Sequence, residues 1–212
     1  MNSQSAPDWP DWGGQTALVI GTGPSAEDCP LDAAQGRARA FAVKSAWRLA
    51  PWADAVYGLD RGWWIATRGA EGFAGRKFSP SPIVANLYHG VRLIKLRPYA
   101  KILVGEAGTV GCGLRTGGGH SGFQALNLAV QFGARRILLV GFDMTLANGG
   151  AHWSGYDETA RPDVRRCAAW REALDDCADQ FRELGVEVVN CAPRSALTAY
   201  PKVPLAEALT WL

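Results

Sequence analysis

The chain has 212 residues and a formal net charge of +2, so it lacks the basic excess that a nucleic-acid surface needs. Hydrophobic residues make up 48% and charged residues 20%, the composition of a folded globular protein with one sizeable α/β core. Five cysteines, odd in number and without a CxxC pair, argue for reduced thiols in a cytoplasmic setting, and the three histidines at no ligand spacing from them argue against a zinc site.

Residues 1–15 read as a loose arm, broken by Pro7, Pro10, Gly13 and Gly14. Its Asp8-Trp9 and Asp11-Trp12 pairs suit pinning to the surface or to a partner. The arm has neither the basic start nor the apolar run of a signal peptide, and no run in the chain is long enough to span a bilayer. Residues 16–212 read as one domain, with no internal repeat and no linker.

Thr16 to Ile20 (TALVI) predicts the first strand. It runs into Gly21-Thr22-Gly23-Pro24-Ser25-Ala26, which fits the dinucleotide pattern G-x-G-x-x-G/A. Pro30 and Gly36 limit the helix that should follow. Ala40 to Val43 predicts the second strand, which ends in Lys44 and Ser45 where that pattern wants a carboxylate for a ribose. A lysine there suits a phosphate instead. Ser45 to Leu49 predicts a short helical piece, and Ala53 to Leu59 a third strand with Asp60 past its end. Asp60 suits either a ligand contact or the N-cap of a helix over residues 62–67. Trp47, Trp52, Trp63 and Trp64 read either as core packing or as a stacking wall for a base or sugar ring.

Between Gly69 and Tyr99 the pattern is less regular, with strands predicted over residues 83–87 and 91–96. Gly105 to Gly122 reads as a mobile glycine-rich loop that carries Arg115, either a phosphate contact or a solvated cation. Gly117, Gly118 and Gly119 lead to His120 and Ser121, where a helix begins with Phe123, Leu126, Ala129, Val130 and Phe132 on one face. Gly133 stops it, Arg136 to Val140 predicts a buried strand, and Asp143 lies at that strand's tip. A helix start behind a glycine turn offers N–H groups and a positive dipole end to an anion. Gly21, Lys44, Asp60 and Asp143 thus all fall at the strand ends where α/β sheets bind ligands.

Residues 144–163 are polar and long enough for a lid, with His152, Tyr156, Asp157 and Glu158 as its chemical groups. A histidine there suits proton transfer near neutral pH. Asp163 to Leu184 predicts one helix with a stripe of Val164, Cys167, Ala168, Leu174, Ala178 and Phe181. A last strand over Val186–Val189 and a terminal helix over residues 205–212 complete the pattern. The expected fold is a single-domain, Rossmann-like α/β three-layer sandwich with a mostly parallel sheet and a short lid.

GTGPS after the first strand, HSGFQALNLAVQFGARRILLVGFDM, HWSGY and NCAPRSAL occur in an order that resembles the bacterial CMP-sialic acid-dependent sialyltransferase superfamily. The chain is similar also to its relatives, the 6-hydroxymethylpterin diphosphokinase-like proteins. The resemblance runs from Val19 to about Leu197 and is thin between residues 69 and 114. It implies that Gly21, Gly23, Pro24 and Ser25, together with Ser121 and Gly122, hold a nucleotide, with Lys44 or Ser45 near the family's asparagine position; His120, at the same helix start, joins them as a nucleotide-binding candidate by its place alone. It further implies a lid carrying tyrosines for the leaving phosphate and a histidine base. Here Met144 and Leu146 stand where a tyrosine is expected, and His152-Trp153-Ser154-Gly155-Tyr156 places Tyr156 at the base position.

The resulting expectation is a nucleotide-dependent transferase that moves a glycosyl group from a CMP-sugar-like donor to an unknown acceptor. His152 or Tyr156 would take the acceptor proton, and Asp143 or Asp60 would position ribose or acceptor. One alternative is a diphosphokinase using ATP and Mg, with Asp60, Asp143 and Asp157 as oxygen ligands. Another is a non-catalytic protein that keeps the fold. A homo-oligomer is compatible with all three.

Overall fold

β1 (Thr16–Ile20) is the axis of the molecule because its side chains are buried on both faces. The computed structural model describes residues 9–98, 101–114, 119–146, 152–153 and 162–212. In chain order the further strands are β2 (Arg39–Val43), β3 (Ala55–Tyr57), β4 (Arg76–Ser79), β5 (Val91–Leu93), β6 (Lys95–Arg97), β7 (Thr109–Gly111), β8 (Arg136–Val140) and β9 (Glu187–Asn190). The α-helices are α1 (Arg61–Ala66), α2 (Pro82–Leu87), α3 (Ser121–Gln131), α4 (Val164–Asp175), α5 (Ala178–Glu183) and α6 (Leu205–Ala208).

Seven strands form one parallel sheet in the order β5-β4-β3-β2-β1-β8-β9. Strand side chains alternate between faces, so one sheet feeds two cores. Ala17, Val19, Phe41, Ile137 and Leu139 pack with Phe123, Leu126 and Phe132 of the α3 region and with Phe181 of α5. Leu18, Ile20, Ala42, Leu138 and Val140 pack on the other face with Trp63 and Trp64 of α1, Val84 of α2 and Leu205 of α6. This is the three-layer α/β architecture that the sequence predicts. No described helix is long and apolar enough to cross a membrane.

Several local expectations are corrected. Residues 83–87 are helical, not extended: Pro82 opens α2, and the Ser81 hydroxyl accepts from Val84 N. Residues 91–96 do not form one strand. Ile94 is the break, with β5 ending the main sheet and β6 pairing in parallel with β7 in a second, two-stranded sheet. The helix predicted over residues 163–184 is two helices, parted at Asp176 and Cys177, and Val164 of its proposed apolar stripe is exposed.

Residues 105–114 are not a loose loop. A polar stripe on α3 holds them by their main chain. Asn127 Oδ1 accepts from Leu103 N and Gly111 N, and its Nδ2 donates to Leu103 O. Gln124 Nε2 donates to Cys112 O at 2.8 Å. Gln131 Nε2 donates to Thr109 O, and its Oε1 accepts from Gly108 N. Tyr57 completes the set by donating its hydroxyl to Gln124 Oε1 at 2.6 Å. Gln124 and Asn127 are fully buried and Gln131 half-buried, and all three satisfy backbone groups that would otherwise lose water.

The described part of the N-terminal arm is also packed. Trp12 is 3% exposed, and its ring meets Phe132 edge-on at 4.8 Å. Trp9 meets the same ring at 5.0 Å, and Phe41 stacks on it at 5.7 Å. The tryptophans thus pin residues 9–12 to the α3 face of the sheet.

Candidate functional site

A pocket opens at the carboxyl ends of β1, β2, β3 and β8, where the chain order reverses on either side of β1. Such a switch point is the standard ligand crevice of an open α/β sheet. Its lining brings together Gly21, Gly23, Lys44, Asp60, His120, Ser121, Gly122, Asp143 and His152, nine residues that the sequence marks as site candidates.

The glycine loop is shaped first by its neighbours. A Cβ on Gly21 would lie 2.5 Å from Gly141 O, and one on Gly141 would lie 2.8 Å from Gly21 O. β1 and β8 therefore leave the sheet in contact, and only glycine fits the crossing. Gly23 packs against the Asp143 carboxylate, whose Oδ2 accepts from Ser25 N at 2.9 Å. Asp143 is 3% exposed and cross-links the loop to the tip of β8. Pro24 and Ser25 sit behind this link and do not line the pocket; Ser25 reaches it only through Asp143.

Lys44 follows β2 with φ +47°, and Met144 follows Asp143 with φ +52°. Non-glycine residues in this region carry strain and recur at functional sites. The Lys44 ammonium pairs with Asp60 at the mouth of the pocket. Asp60 occupies the N-cap position of α1 without capping it by its side chain, so the ion pair is what it does here. Lys44→Gly and Lys44→Ala remove the same cation. The glycine variant should be the more stable by about 1 kcal/mol, because it alone relaxes the backbone. Both should weaken nucleotide binding alike, read by thermal melts and titration calorimetry; equal melting points would show that the position is unstrained.

Ser45 lies outside the pocket. It is 3% exposed, and its Oγ accepts from Trp63 Nε1 at 2.9 Å. Ser45→Ala should cost about 1–3 kcal/mol of stability by orphaning the indole, with nucleotide affinity unchanged. A drop in affinity without loss of stability would instead put Ser45 on the ligand. Trp63 and Trp64 meet each other edge-on within the core, so they are packing residues and not a stacking wall of this pocket.

His120 is the N-cap of α3, its Nδ1 accepting from Phe123 N at 3.3 Å. Its ring lies on Trp170 of α4, with centroids 4.9 Å apart and planes 21° apart. Ser121 Oγ accepts from Leu59 N and joins the start of α3 to the exit of β3. The first turn of α3 thus faces the pocket with its positive dipole end. Burial pushes the His120 pKa from 6.5 down to about 3, and the positive charges of Lys44 and His152 add to this. The unfolded chain takes up this proton near pH 6.5 and the folded chain only near 3. Stability is therefore full above pH 6.5 and falls as the pH drops, by up to about 1.4 kcal/mol per pH unit. Melting temperatures from pH 7 to 4 should fall more steeply for the wild type than for His120→Asn; equal slopes would remove His120 as their source.

His152 is held by the glycine loop. Its Nδ1 lies 2.6 Å from Thr22 Oγ1, and the next residue, Trp153, donates its N–H to Thr22 O at 3.0 Å. Tyr156, Asp157, Glu158, Arg115, Gly117 and Gly118 lie outside the described residues.

Sequence reasoning missed Thr22, Arg166 and Trp170 as pocket residues. Arg166 and Trp170 are four apart on α4, a spacing that puts both on one helix face, but nothing in the sequence says which way that face turns. Trp170 Nε1 and Asp143 Oδ1 are buried without a hydrogen-bond partner among the described residues. Both belong to side chains of the pocket wall, an unused donor and an unused acceptor beside one cavity. No group of three or more His, Cys, Asp or Glu side chains among the described residues is placed to hold a metal ion.

No family model matches the sequence, and no curated protein matches it. Solved structures do match the fold. The sialyltransferase CstII from Campylobacter jejuni in complex with cytidine-5'-monophosphate superposes with a TM-score of 0.55 at 11% identity, over 90% of this chain and 85% of that one. A complex of CST-II with a trisaccharide acceptor and CMP gives 0.52 at 9% identity, over 89% and 86%. At such identities the likeness establishes a sialyltransferase-like fold.

Proposed function

We propose that the chain is a nucleotide-dependent transferase that moves a glycosyl group from a nucleotide-activated donor, CMP-sugar-like in kind, to a hydroxyl acceptor. The observation that carries this reading is the pocket at the β1–β8 switch point, among whose wall residues a buried carboxylate oxygen and an indole N–H have no hydrogen-bond partner among the described residues. The CMP bound to the fold neighbours supports the same class of ligand.

Gly21 and Gly23 shape the loop beneath the nucleotide, with Pro24 and Ser25 backing it. Lys44, Arg166 and the start of α3 at Ser121 and Gly122 supply positive potential for phosphate. Asp143 Oδ1, without a partner among the described residues, suits a ribose hydroxyl or an amino donor, and Asp60 sets the Lys44 ammonium. His152, oriented by Thr22, is the candidate base. In the transfer, the acceptor oxygen bonds to the anomeric carbon as that carbon's bond to the phosphate oxygen breaks. The bonding pair leaves with the nucleotide, and the acceptor proton passes to His152. Tyr156 remains a second candidate for that proton.

Isothermal titration with CMP, CDP, ATP and GTP tests the reading: a cytidine nucleotide should bind most tightly, without added metal. No binding of any of them at millimolar concentration would sink it. Tight binding of ATP only with Mg would transfer the case to the diphosphokinase alternative, which these fold neighbours do not support.

A further inference from the structure

We propose that His120 serves as a neutral hydrogen-bond donor, through Nε2–H, to the phosphate oxygen that departs from the transferred sugar. The inference rests on the nucleotide-transferase reading above and assigns a role within that site which the site's shape alone does not.

The ring has two nitrogens, and the fold has already used one. Phe123 N–H donates to Nδ1, so Nδ1 must stay unprotonated and the single ring proton sits on Nε2. Charging the ring would put a proton on Nδ1 and break the cap of α3. The Trp170 indole covers one flat face of the ring, and Phe142 meets it edge-on at 6.3 Å. Gly122 leaves room for this: a Cβ there would lie 3.1 Å from His120 Cε1 and 2.8 Å from a Phe142 ring carbon. The imidazole therefore has one orientation and one tautomer, and its Nε2 edge is the polar atom left for the pocket that it lines. No described residue forms a hydrogen bond with that atom.

Its charged neighbours favour the same state. Lys44 at the end of β2 and His152 beside the glycine loop both raise the cost of a positive ring, which agrees with the depressed pKa. Arg166 and Cys167 on α4, Asp60 beside Lys44 and Asp143 beyond β8 are the other ionisable side chains among the described residues that line this pocket. Cations and a neutral donor thus have separate tasks. Lys44 and Arg166 attract the phosphate in the ground state. A fixed neutral donor strengthens as charge builds on the departing oxygen, and it gives up no proton. Bond breaking between the anomeric carbon and that oxygen sends the pair to oxygen, where the hydrogen bond from Nε2–H receives it; the acceptor proton goes to His152.

The test uses the full chain with CMP as probe and His120→Asn as the main variant. Asparagine is a strong N-cap, so it keeps the cap of α3 and removes only the Nε2 donor. Nitrogen-resolved NMR of histidine-labelled protein should show His120 as the neutral Nε2–H tautomer, unchanged from pH 7 to 5. Adding CMP should shift its Nε2–H proton downfield. The variant should bind CMP about tenfold more weakly, with an altered phosphorus resonance of the bound nucleotide. A protonated His120 at pH 6, an Nδ1–H tautomer, or a variant with unchanged CMP affinity and phosphorus shift would overturn the proposal and leave the nucleotide reading standing. Failure of the wild type to bind CMP or any other nucleotide would overturn both. His120→Ala is the control for folding: lost melting cooperativity there, with CMP affinity reduced in His120→Asn alone among well-folded variants, still supports the donor role.

Discussion

Gly23→Ala is expected to lower stability by about 2–3 kcal/mol and to abolish nucleotide binding. Gly23 has an ordinary extended backbone, so the effect does not come from its angles. It comes from space. An added methyl would overlap the Asp143 carboxylate and lie 2.6 Å from Gly141 O, and the second neighbour is main chain that cannot swing aside. Relief would require the loop to part from β8, breaking the Ser25 N to Asp143 bond and the Gly23 N to Gly141 O bond of 2.9 Å. Denaturant melts and CMP titration measure the two losses. A well-folded variant that still binds would show that the loop and Asp143 do not act as one unit.

His152→Ala is expected to slow transfer by about 100- to 10,000-fold while changing nucleotide affinity by less than about threefold. The imidazole reaches the pocket through Thr22, whose hydroxyl meets Nδ1 and whose carbonyl takes the Trp153 N–H. His152 also lines the pocket in which an acceptor hydroxyl would bind. Loss of the ring removes a proton acceptor and leaves the glycine loop, Lys44 and α3 in place. Rates measured on one nucleotide-sugar donor, with calorimetry on CMP, separate the two effects. Equal rates for variant and wild type would move the base to Tyr156.

The central part of the fold was legible because its signals are local. TALVI, RILLV and the apolar face from Phe123 to Phe132 each state their own structure, and β1, β8 and α3 fall where those runs predict. Strand tips were legible for the same reason, which is why Gly21, Lys44, Asp60 and Asp143 could be grouped before any geometry was known. What escaped depends on partners distant in sequence. The strand at residues 109–111 has little apolar content of its own, and its order comes from Asn127 and Gln131. Ser45 looked like a ligand residue because it follows Lys44, yet its hydroxyl turns to Trp63. The fingerprint glycines are better explained by the crossing of β1 and β8 than by the approach of a phosphate, although both demands are compatible.

The amide stripe on α3 has a consequence for how this molecule can change. Gln124, Asn127 and Gln131 hold residues 103–112 entirely through main-chain atoms. The side chains of the exposed residues 104–107 are therefore free to vary without altering its path, whereas Val110 is held in the core. The instructions for its shape are written on a helix about twenty residues downstream. Mutational drift should accordingly be wide at residues 104–107 and narrow on the three amides and at Val110, and a saturation library across residues 103–131 would display that contrast directly.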